Sequence, residues 1–413
     1  MEKLINYNKF DERFADLFLK KCLKNQEKIH DKLLIVIDLF EVMDFANILK
    51  NKALELGYKD VQILIEDQDQ IHDFLFNNDL DAIKTSKLFD RSMWDEFAKN
   101  NNPILFIDSR VPNLMSDIDT SKLDLMARVR NSSSSYYRAN VGKRIFPWSL
   151  TGYPNERWAK SVFGDIDDAY IKLYNAMAKA CMLDKDDYIL EWDKFMEYSN
   201  IVKNNLNNLD IDSLHFKNEL GTDLVVGLPK GYCFLNLDKG TGVINNMPSY
   251  EIFASPDCRK TNGIVYSSKP LFYLGSVIKD FWIEFKDGAI VNYDAKMGKD
   301  LLETLLSNQS SSLLGEVALV DKNSPLAKMN INFNDILYDE NCSSHLALGG
   351  GSPKSVIGGE TMSKEELVKL GINFSDIHVD FMIGTDDTDV WANTKKGKKL
   401  VLRKGSFTDE MLK

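Results

Sequence analysis

The sequence predicts two domains: an α/β domain with a parallel sheet, followed by a β-rich α+β domain. Length is the first observation, because 413 residues with an ordinary apolar fraction of 44% exceed what one hydrophobic core holds. Strand-like and helix-like stretches alternate along the first hundred residues, and short strands with turn signals dominate the second half. We therefore predict domains at residues 1–206 and 207–413.

The N-terminal domain is predicted from apolar strands separated by helical periods. LLIVIDLF at 33–40 is followed by the amphipathic MDFANILKNKALELG, then by DVQILIED and by NPILFIDS at 102–109. This alternation indicates βαβ units, since a parallel crossover needs a connection of helix length. Residues 156–206 have apolar residues at spacings of three and four, which predicts consecutive helices. No glycine-rich phosphate motif follows these strands, so a cofactor in this domain has no support.

The C-terminal domain is predicted from short strands bounded by turns. The strand candidates are TDLVVGLPKGYCFLNL, DFWIEFKDGAIVNY with an Asp287-Gly288 turn, and VWANTKKGKKLVLRKG with a Lys-Gly turn. One helix, at about 295–307, interrupts them. NNLDIDS at 207–213 is typical of a junction between domains.

Charge and cysteine content exclude several classes of function. The formal charge is −11, so the chain lacks the basic surface of a nucleic-acid or anionic-membrane binder. Its strongest apolar run is too short to span a bilayer and its start lacks an apolar signal core, so we expect a cytoplasmic protein. Five scattered cysteines without a CxxC motif favour reduced, structural thiols over disulfides or a thiolate zinc site.

The stretch IHVDFMIGTDD at 377–387 contains the first candidate functional pair. In a strand, side chains two apart share a face, so His378 and Asp380 point the same way while Val379 and Phe381 point the other way. A histidine and an acid side by side suit a metal. The alternative is a half-buried strand whose polar pair is hydrogen-bonded to itself or faces solvent.

Two further glutamates stand in apolar surroundings. Glu316 lies within LLGEVALV, and burying an unpaired carboxylate costs several kcal/mol, so this group needs a cation, a metal or several donors. Glu251 lies within NNMPSYEIFASPD, between two prolines, in a turn followed by a strand. Taken alone, a glutamate such as Glu316 is a salt-bridged strand residue more often than a ligand, and Glu251 by itself indicates almost nothing about function.

The segment YDENCSSHLALGGG at 338–351 places Asp339, Glu340 and His345 ahead of three glycines. Acids and a histidine beside a glycine-rich turn, where a ligand can approach the backbone, suit a divalent ion bound by oxygen and nitrogen. The alternative is a polar loop with Glu340 exposed. Two of the five histidines, His345 and His378, fall in these acid-containing apolar segments.

Four of these segments, in this order and spacing, resemble the thermophilic-type metalloaminopeptidases, the group of aminopeptidase T, aminopeptidase S and PepS: NMPSYEIF, GEVALV, YDENCSSHLALG and IHVDFMIG. The resemblance runs the whole length and includes YNKFDERFADLFLKKCL near the start, WSLTGYPNERWAKSVF in the middle and GTDLVVGLPKG at the opening of the second half. It implies a C-terminal catalytic domain with two divalent ions, and release of N-terminal amino acids from short peptides by a homodimer.

The resemblance also implies a set of metal ligands in this chain: Glu251, Glu316, Glu340, His345, His378 and Asp380. The chain departs from the family pattern at two positions. Many members have two adjacent glutamates after the proline, whereas this chain has Tyr250 and then Glu251, so only Glu251 can fill that role. Members often carry a tyrosine after HLALG, whereas this chain has Ser352.

Carboxylates and imidazoles suit Zn²⁺, Co²⁺ or Mn²⁺, with Mg²⁺ as a further candidate. Two ions need a shared carboxylate, and Glu316 is the predicted bridge. Ions about 3.5–4 Å apart would ionise a shared water near neutral pH. A general base is also needed, and Glu340 is the best remaining carboxylate, although it could instead be a ligand.

Two other functions remain open from the sequence. A dinuclear phosphoesterase uses similar ligands, but the chain lacks a GDxxxD segment and a basic phosphate clamp near these motifs. The other is a metal-binding scaffold without turnover, which only Ser352 supports.

Overall fold

The computed structural model describes residues 9–23, 30–143, 145–237, 242–273, 276–307, 311–375 and 377–413. The chain divides into two compact units. The N-terminal unit comprises Met1–Glu191 and Asp238–Pro248, and the C-terminal unit comprises Trp192–Leu237 and Ser249–Lys413. The domain boundary between residues 206 and 207 stays a prediction.

The N-terminal unit contains a parallel sheet with helical connections. In the described part of the chain its strands are β1 Lys32–Ile37, β2 Asp60–Ile65, β3 Ile104–Asp108, β4 Trp148–Gly152 and β7 Asn246–Met247, in the order β2-β1-β3-β4-β7. Its helices are α1 Asp11–Asp16, α2 Met43–Glu55, α3 Gln68–Asn77, α4 Leu80–Thr85, α5 Ser92–Lys99, α6 Thr120–Ser133, α7 Ser135–Val141, α8 Glu156–Phe163 and α9 Ala169–Ala180, and α10 Tyr188–Asn208 begins in this unit.

The predicted parallel α/β architecture is confirmed. Strand β1 is buried from Leu33 to Ile37, because a parallel strand covered by helices has no solvent face. All pairings of this sheet are parallel, and the two-residue strand β7 joins it beside β4.

Helix α1 carries a buried acid. The side chain of Asp11 is 1% exposed, and its Oδ1 accepts hydrogen bonds from the hydroxyl groups of Tyr153, at 2.9 Å, and Tyr174, at 2.8 Å. Its Oδ2 is buried and has no hydrogen-bond partner among the described residues. Burial raises the pKa of Asp11 from 3.8 to about 6, although the two hydroxyl groups act to lower it.

This buried acid predicts a pH-dependent stability. Because the folded-state pKa is raised, its stabilising contribution is complete below about pH 3.8 and is lost as the pH rises through about 6. The loss amounts to about 3 kcal/mol at pH 8. Asp11→Asn should remove this dependence, so the variant should gain stability relative to wild type between pH 4 and pH 8, as measured by urea unfolding. The exposed Asp44→Asn is the control, and equal slopes for all three proteins would refute the prediction.

The C-terminal unit is rich in antiparallel strands, as predicted. Its described strands are β5 Ile211–Lys217, β6 Asp223–Gly227, β8 Glu251–Ala254, β9 Thr261–Tyr266, β10 Leu271–Tyr273, β11 Ser276–Lys286, β12 Ala289–Met297, β13 Leu314–Val320, β14 His345–Gly349, β15 His378–Met382, β16 Asp389–Thr394, β17 Gly397–Arg403 and β18 Ser406–Phe407. Its further helices are α11 Lys299–Leu306, α12 Ile336–Glu340 and α13 Lys364–Leu370.

Of two local predictions near β11 and β12, the turn is confirmed and the start of the helix is not. The Asp287-Gly288 turn is confirmed, and both residues have positive φ, of 49° and 81°, as a tight hairpin requires. The helix predicted from about residue 295 begins instead at Lys299. Residues 295–297 extend β12, and Gly298, with φ of 77°, separates this strand from the helix.

The strands of the C-terminal unit form two sheets in its described part. The larger has the order β10-β11-β9-β6-β5-β16-β17-β18, with β12 paired to β11. The smaller, which we call the site sheet, has the order β15-β14-β13-β8 and is antiparallel. One face of the site sheet contributes to the main core of the unit through Ile252, Val317, Leu319, Leu346, Leu348, Val379 and Phe381. Within the described ranges, no helix is long and apolar enough to cross a membrane.

Candidate metal centre

The other face of the site sheet bears five of the six predicted site residues. Residues directly opposite each other in an antiparallel sheet share a face. Ala347 lies on the central strand β14, with Glu316 opposite it on β13 and Asp380 opposite it on β15. The backbones of the two acids are therefore about 10 Å apart, and only the methyl group of Ala347 lies between their side chains. His345 lies two residues before Ala347 on the same face.

The outer positions complete the same face. His378 lies opposite Gly349 on β15, and Glu251, the first residue of β8, lies opposite Val320. Glu340, at the C-terminal end of helix α12, comes from a separate segment. The structure therefore brings all six residues into one cluster, from segments up to 129 positions apart in the chain.

The donor atoms of these residues form three groups that could each hold an ion. Within each group the donor atoms lie within 4.8 Å of one another. The groups are Glu251, Glu316 and His345; Glu316, His378 and Asp380; and Glu340, His345 and Asp380. Glu316 belongs to two groups, and so do His345 and Asp380. Overlapping groups of this kind suit ions that share ligands.

The cluster is buried and carries an excess of negative charge. His345 is 0% exposed and the other buried members are at most 8% exposed, namely Glu251, Glu340 and Asp380. The His378 side chain is 42% exposed and gives the cluster a side open to solvent. In the described chain, no lysine or arginine forms an ion pair with any of the six residues. Four carboxylates therefore face one another without a protein cation other than histidine.

The tautomer of His345 is fixed by the backbone. Its Nδ1 lies 3.0 Å from the carbonyl oxygen of Ser343, and a carbonyl only accepts, so Nδ1 carries a proton. In the neutral ring Nε2 then has a lone pair. This atom lies 3.1 Å from Oε2 of Glu251 and 3.5 Å from Oε1 of Glu316, yet it is buried without a hydrogen-bond partner among the described residues.

His378 is held in the same way. Its Nδ1 donates to the carbonyl oxygen of Gly350 at 2.8 Å, which leaves Nε2 3.2 Å from Oδ1 of Asp380. That carboxylate oxygen is also buried without a hydrogen-bond partner in the described part of the structure. A lone pair facing a carboxylate is unfavourable unless a proton or a metal cation lies between them. Histidines that donate Nδ1–H to a backbone carbonyl and present Nε2 are typical metal ligands.

The pKa values report the same imbalance of charge. Burial raises the pKa of Glu316, and burial together with the charges of Asp380 and Glu251 raises that of Glu340 well above its usual range. Burial acts to lower the pKa of both histidines, but the carboxylates prevail and raise that of His378 to about 10 and that of His345 well above normal. Burial acts to raise the pKa of Asp380, but the charge of His378 lowers it overall. Without metal, the carboxylates therefore hold protons on the imidazoles.

Glu340 is buried, so it is not part of an exposed polar loop. Asp339, its neighbour, faces elsewhere: its carboxylate accepts from the backbone N–H groups of Phe333 and Asp335 and lies 3.7 Å from Nζ of Lys269. Asp339 therefore stabilises a loop, and it belongs to none of the three donor groups.

The two departures from the family pattern have different surroundings. Tyr250 is 2% exposed, and its ring packs against Trp192 and Phe195, with ring centroids 5.4 and 4.9 Å away. Glu251, one residue on, therefore faces the cluster. The backbone N–H of Ser352 donates to Oγ of Ser255 at 2.8 Å. In the described part of the chain, the Ser352 hydroxyl group forms no hydrogen bond with any of the six cluster residues.

Sequence reasoning missed the backbone groups that orient the two histidines. Ser343 and Gly350 act through carbonyl oxygens, which no side-chain pattern reveals. The consecutive glycines after HLAL are an indirect sign that the backbone is closely approached here. A Cβ at Gly349 would lie 2.0 Å from the Ile377 carbonyl oxygen, and one at Gly350 would lie 2.8 Å from that of Ser375. These glycines let the chain before His378 approach β14 closely, rather than making room for a ligand.

A cavity of about 430 Å³ lies elsewhere in the C-terminal unit. Its lining includes Ser343 and Ser344, which precede His345, and the lysines Lys269 and Lys322. None of the six predicted site residues lines it, although the structure describes all six. The cavity is therefore distinct from the donor cluster.

The fold and the donor set define a metal-dependent hydrolase. A family model described as Thermophilic metalloprotease (M29) matches residues 8–407, and the chain belongs to this family. Aminopeptidase AmpS of Bacillus subtilis (strain 168) is 31% identical over 376 residues, which cover 89% of this chain and 91% of that protein. Aminopeptidase 2 of Geobacillus stearothermophilus is 30% identical over 408 residues, covering 97% and 98%.

A solved structure has the same fold. Wild-type AmpT from Thermus thermophilus superposes with a TM-score of 0.86 at 25% sequence identity, covering 97% of this chain and 100% of that chain. The predicted family, the metal-dependent hydrolase class and the aminopeptidase function are therefore confirmed.

Proposed function

We propose that this chain releases N-terminal amino acids from short peptides with two divalent metal ions bound at the six-residue cluster. The observation that carries the proposal is the pair of imidazole Nε2 atoms directed at carboxylates, in a buried cluster of four acids. Two divalent cations balance four carboxylates. The oxygen and nitrogen donors, without a thiolate, suit Zn²⁺, Co²⁺ or Mn²⁺, and Mg²⁺ less well because of the histidines.

Each ion has its own candidate ligands. Glu251, Glu316 and His345 would hold one ion, and Glu316, His378 and Asp380 the other, because their donor atoms already form these groups. Glu316 would be the shared ligand. Bound there, the metal ions would supply Lewis acidity and a water ionised near neutral pH.

The remaining residues would orient the substrate and move protons. A substrate with a free α-amine carries a positive charge that the excess carboxylates attract, which favours peptide N-termini over internal bonds. Glu340 lies in a donor group with His345 and Asp380, and there it would take a proton from an attacking water and return it to the leaving amine. We assign Glu340 this general-base role.

A cellular location and an oligomeric state are also part of the proposal. The family resemblance supports a cytoplasmic homodimer that admits short peptides. No observation favours a phosphoesterase, since no lysine or arginine among the described residues pairs with the cluster to bind a phosphate. The scaffold alternative predicts metal binding without turnover.

The proposal predicts that activity depends on metal. Purified protein should hydrolyse leucine p-nitroanilide, lose at least about 99% of this activity with a chelator, and regain it with Zn²⁺, Co²⁺ or Mn²⁺, because the ions supply several kcal/mol of transition-state stabilisation. An N-acetylated leucine p-nitroanilide, which lacks the α-amine, is the matched control and should not be cleaved. Elemental analysis should find two ions per chain. Full activity after complete metal removal would contradict the proposal, and so would a single ion at saturation.

A further inference from the structure

Asn341 lies between two of the acidic segments. It follows Glu340 at the C-terminal end of helix α12 and is 0% exposed. Its Oδ1 accepts the backbone N–H of Tyr250 at 2.6 Å. Its Nδ2 donates to the carbonyl oxygen of Leu337 at 2.9 Å and to Oε1 of Glu340 at 3.3 Å. One side chain therefore contacts the chain beside Glu251 and the carboxylate of Glu340.

The orientation of this amide is determined by its partners. The N–H of Tyr250 must face an oxygen, and the carbonyl of Leu337 must face a donor, so the oxygen and nitrogen of Asn341 cannot exchange places. Both amide hydrogens and the amide oxygen are then used. No other side chain of this size supplies one acceptor and two donors without charge.

The contacts join parts of the cluster that are far apart in the chain. Tyr250 immediately precedes Glu251 and Asn341 immediately follows Glu340, so the hydrogen bond between them joins segments 91 positions apart. The four acids of the cluster lie close together without a lysine or arginine partner among the described residues, so their charges repel one another. A neutral donor that contacts Glu340 and is anchored to the segment of Glu251 opposes this repulsion.

We propose that Asn341 is a positioning residue that holds Glu251 and Glu340 in place before metal binds. The metal ions then bind to side chains that are already correctly arranged, so metal binding does not have to order the two segments. The inference rests on the proposed function, because it assumes that these acids bind and serve metal ions. Neighbours that orient metal ligands typically change metal affinity or activity by about 10- to 100-fold when they are removed.

The test compares two variants of Asn341 with a control. Asn341→Leu keeps the approximate shape and removes all three hydrogen bonds, and Asn341→Ser is smaller and has one hydroxyl group in place of the amide. Asn207→Leu is the matched control, because Asn207 also joins a helix to an extended segment, through the N–H and carbonyl of Phe234, at 2.7 and 3.2 Å, and contacts no site residue. Full-length proteins are stripped of metal, checked for folding by circular dichroism and titrated with Zn²⁺ by calorimetry at 25 °C.

Both Asn341 variants should be folded at 25 °C and bind Zn²⁺ about 10- to 100-fold more weakly than wild type. Asn207→Leu should bind as wild type does, even if its melting temperature falls, so a general loss of stability would not account for the effect. Should Asn341→Leu fail to fold, Asn341→Ser carries the test alone. Folded Asn341 variants with wild-type affinity would overturn the inference. Wild-type protein that binds no Zn²⁺ would instead overturn the proposed function.

Discussion

Glu316→Gln is expected to lower kcat for leucine p-nitroanilide by about three orders of magnitude and to reduce bound metal from two ions per chain to one or none. Glutamine keeps the size of the side chain and removes the charge. Glu316 contributes to two donor groups, so its loss weakens the binding of both proposed ions. Loss of the several kcal/mol that metal ions contribute to the transition state corresponds to a factor of about 10³.

The same variant should not be less stable than wild type when both are free of metal. Glu316 is partly buried beside Glu251 and Asp380, and each charge raises the energy of the others. Removing one carboxylate relieves this repulsion. Thermal unfolding in chelator should therefore show an equal or higher melting temperature for the variant. A lower melting temperature would mean that the loss of activity came from unfolding.

Glu284→Gln provides the control for a strand glutamate outside the cluster. Glu284 lies in β11 and belongs to none of the donor groups. Its kcat and its metal content should match those of wild type. Glu316→Gln with more than about a tenth of wild-type kcat, at two ions per chain, would remove Glu316 from the proposed mechanism.

The alternation of side chains along β15 was enough to place His378 and Asp380 on one face. Their spacing fixes the face in any extended strand, and the core contacts of Val379 and Phe381 are on the other side. Glu316 was likewise visible as an acid within an apolar run. These predictions needed only local geometry.

The convergence of the six residues was not predictable from local geometry. It depends on the register that places Glu316 and Asp380 opposite Ala347, and register is set by pairing between segments 31 and 33 positions apart. Only the family resemblance supplied that information, and it also selected Glu251 over Tyr250. The ring contacts of Tyr250 with Trp192 and Phe195 give the physical reason for that choice.

The N-terminal sheet shows a second limit of sequence reasoning. Strand β7 has two residues and pairs with β4, almost a hundred positions earlier in the chain. So short a segment has no periodicity to detect. The compact units divide the chain within α10, and the predicted boundary between residues 206 and 207 stays a prediction.

Glu340→Gln tests whether this residue carries a proton or binds metal. We expect kcat to fall by about 10²- to 10⁴-fold, the range for loss of a general base, while two ions per chain remain bound. The expectation follows from position. The two groups that share Glu316 already provide ligands for two ions, and Glu340 comes from α12 rather than from the site sheet. Burial raises the pKa of Glu340 in the metal-free protein, which favours its protonated form, and bound cations would act to lower that pKa.

The two roles give different results in one experiment. A general base leaves metal content and Zn²⁺ affinity unchanged in Glu340→Gln, and KM changes little because the group acts in the transition state. A ligand loses one ion, and excess Zn²⁺ then restores part of kcat. Asp339→Asn is the control, since Asp339 adjoins Glu340 in sequence but contacts the loop at Phe333 and Asp335. Loss of one ion from Glu340→Gln, with kcat recovered at high Zn²⁺, would make Glu340 a ligand and leave the general base to another group.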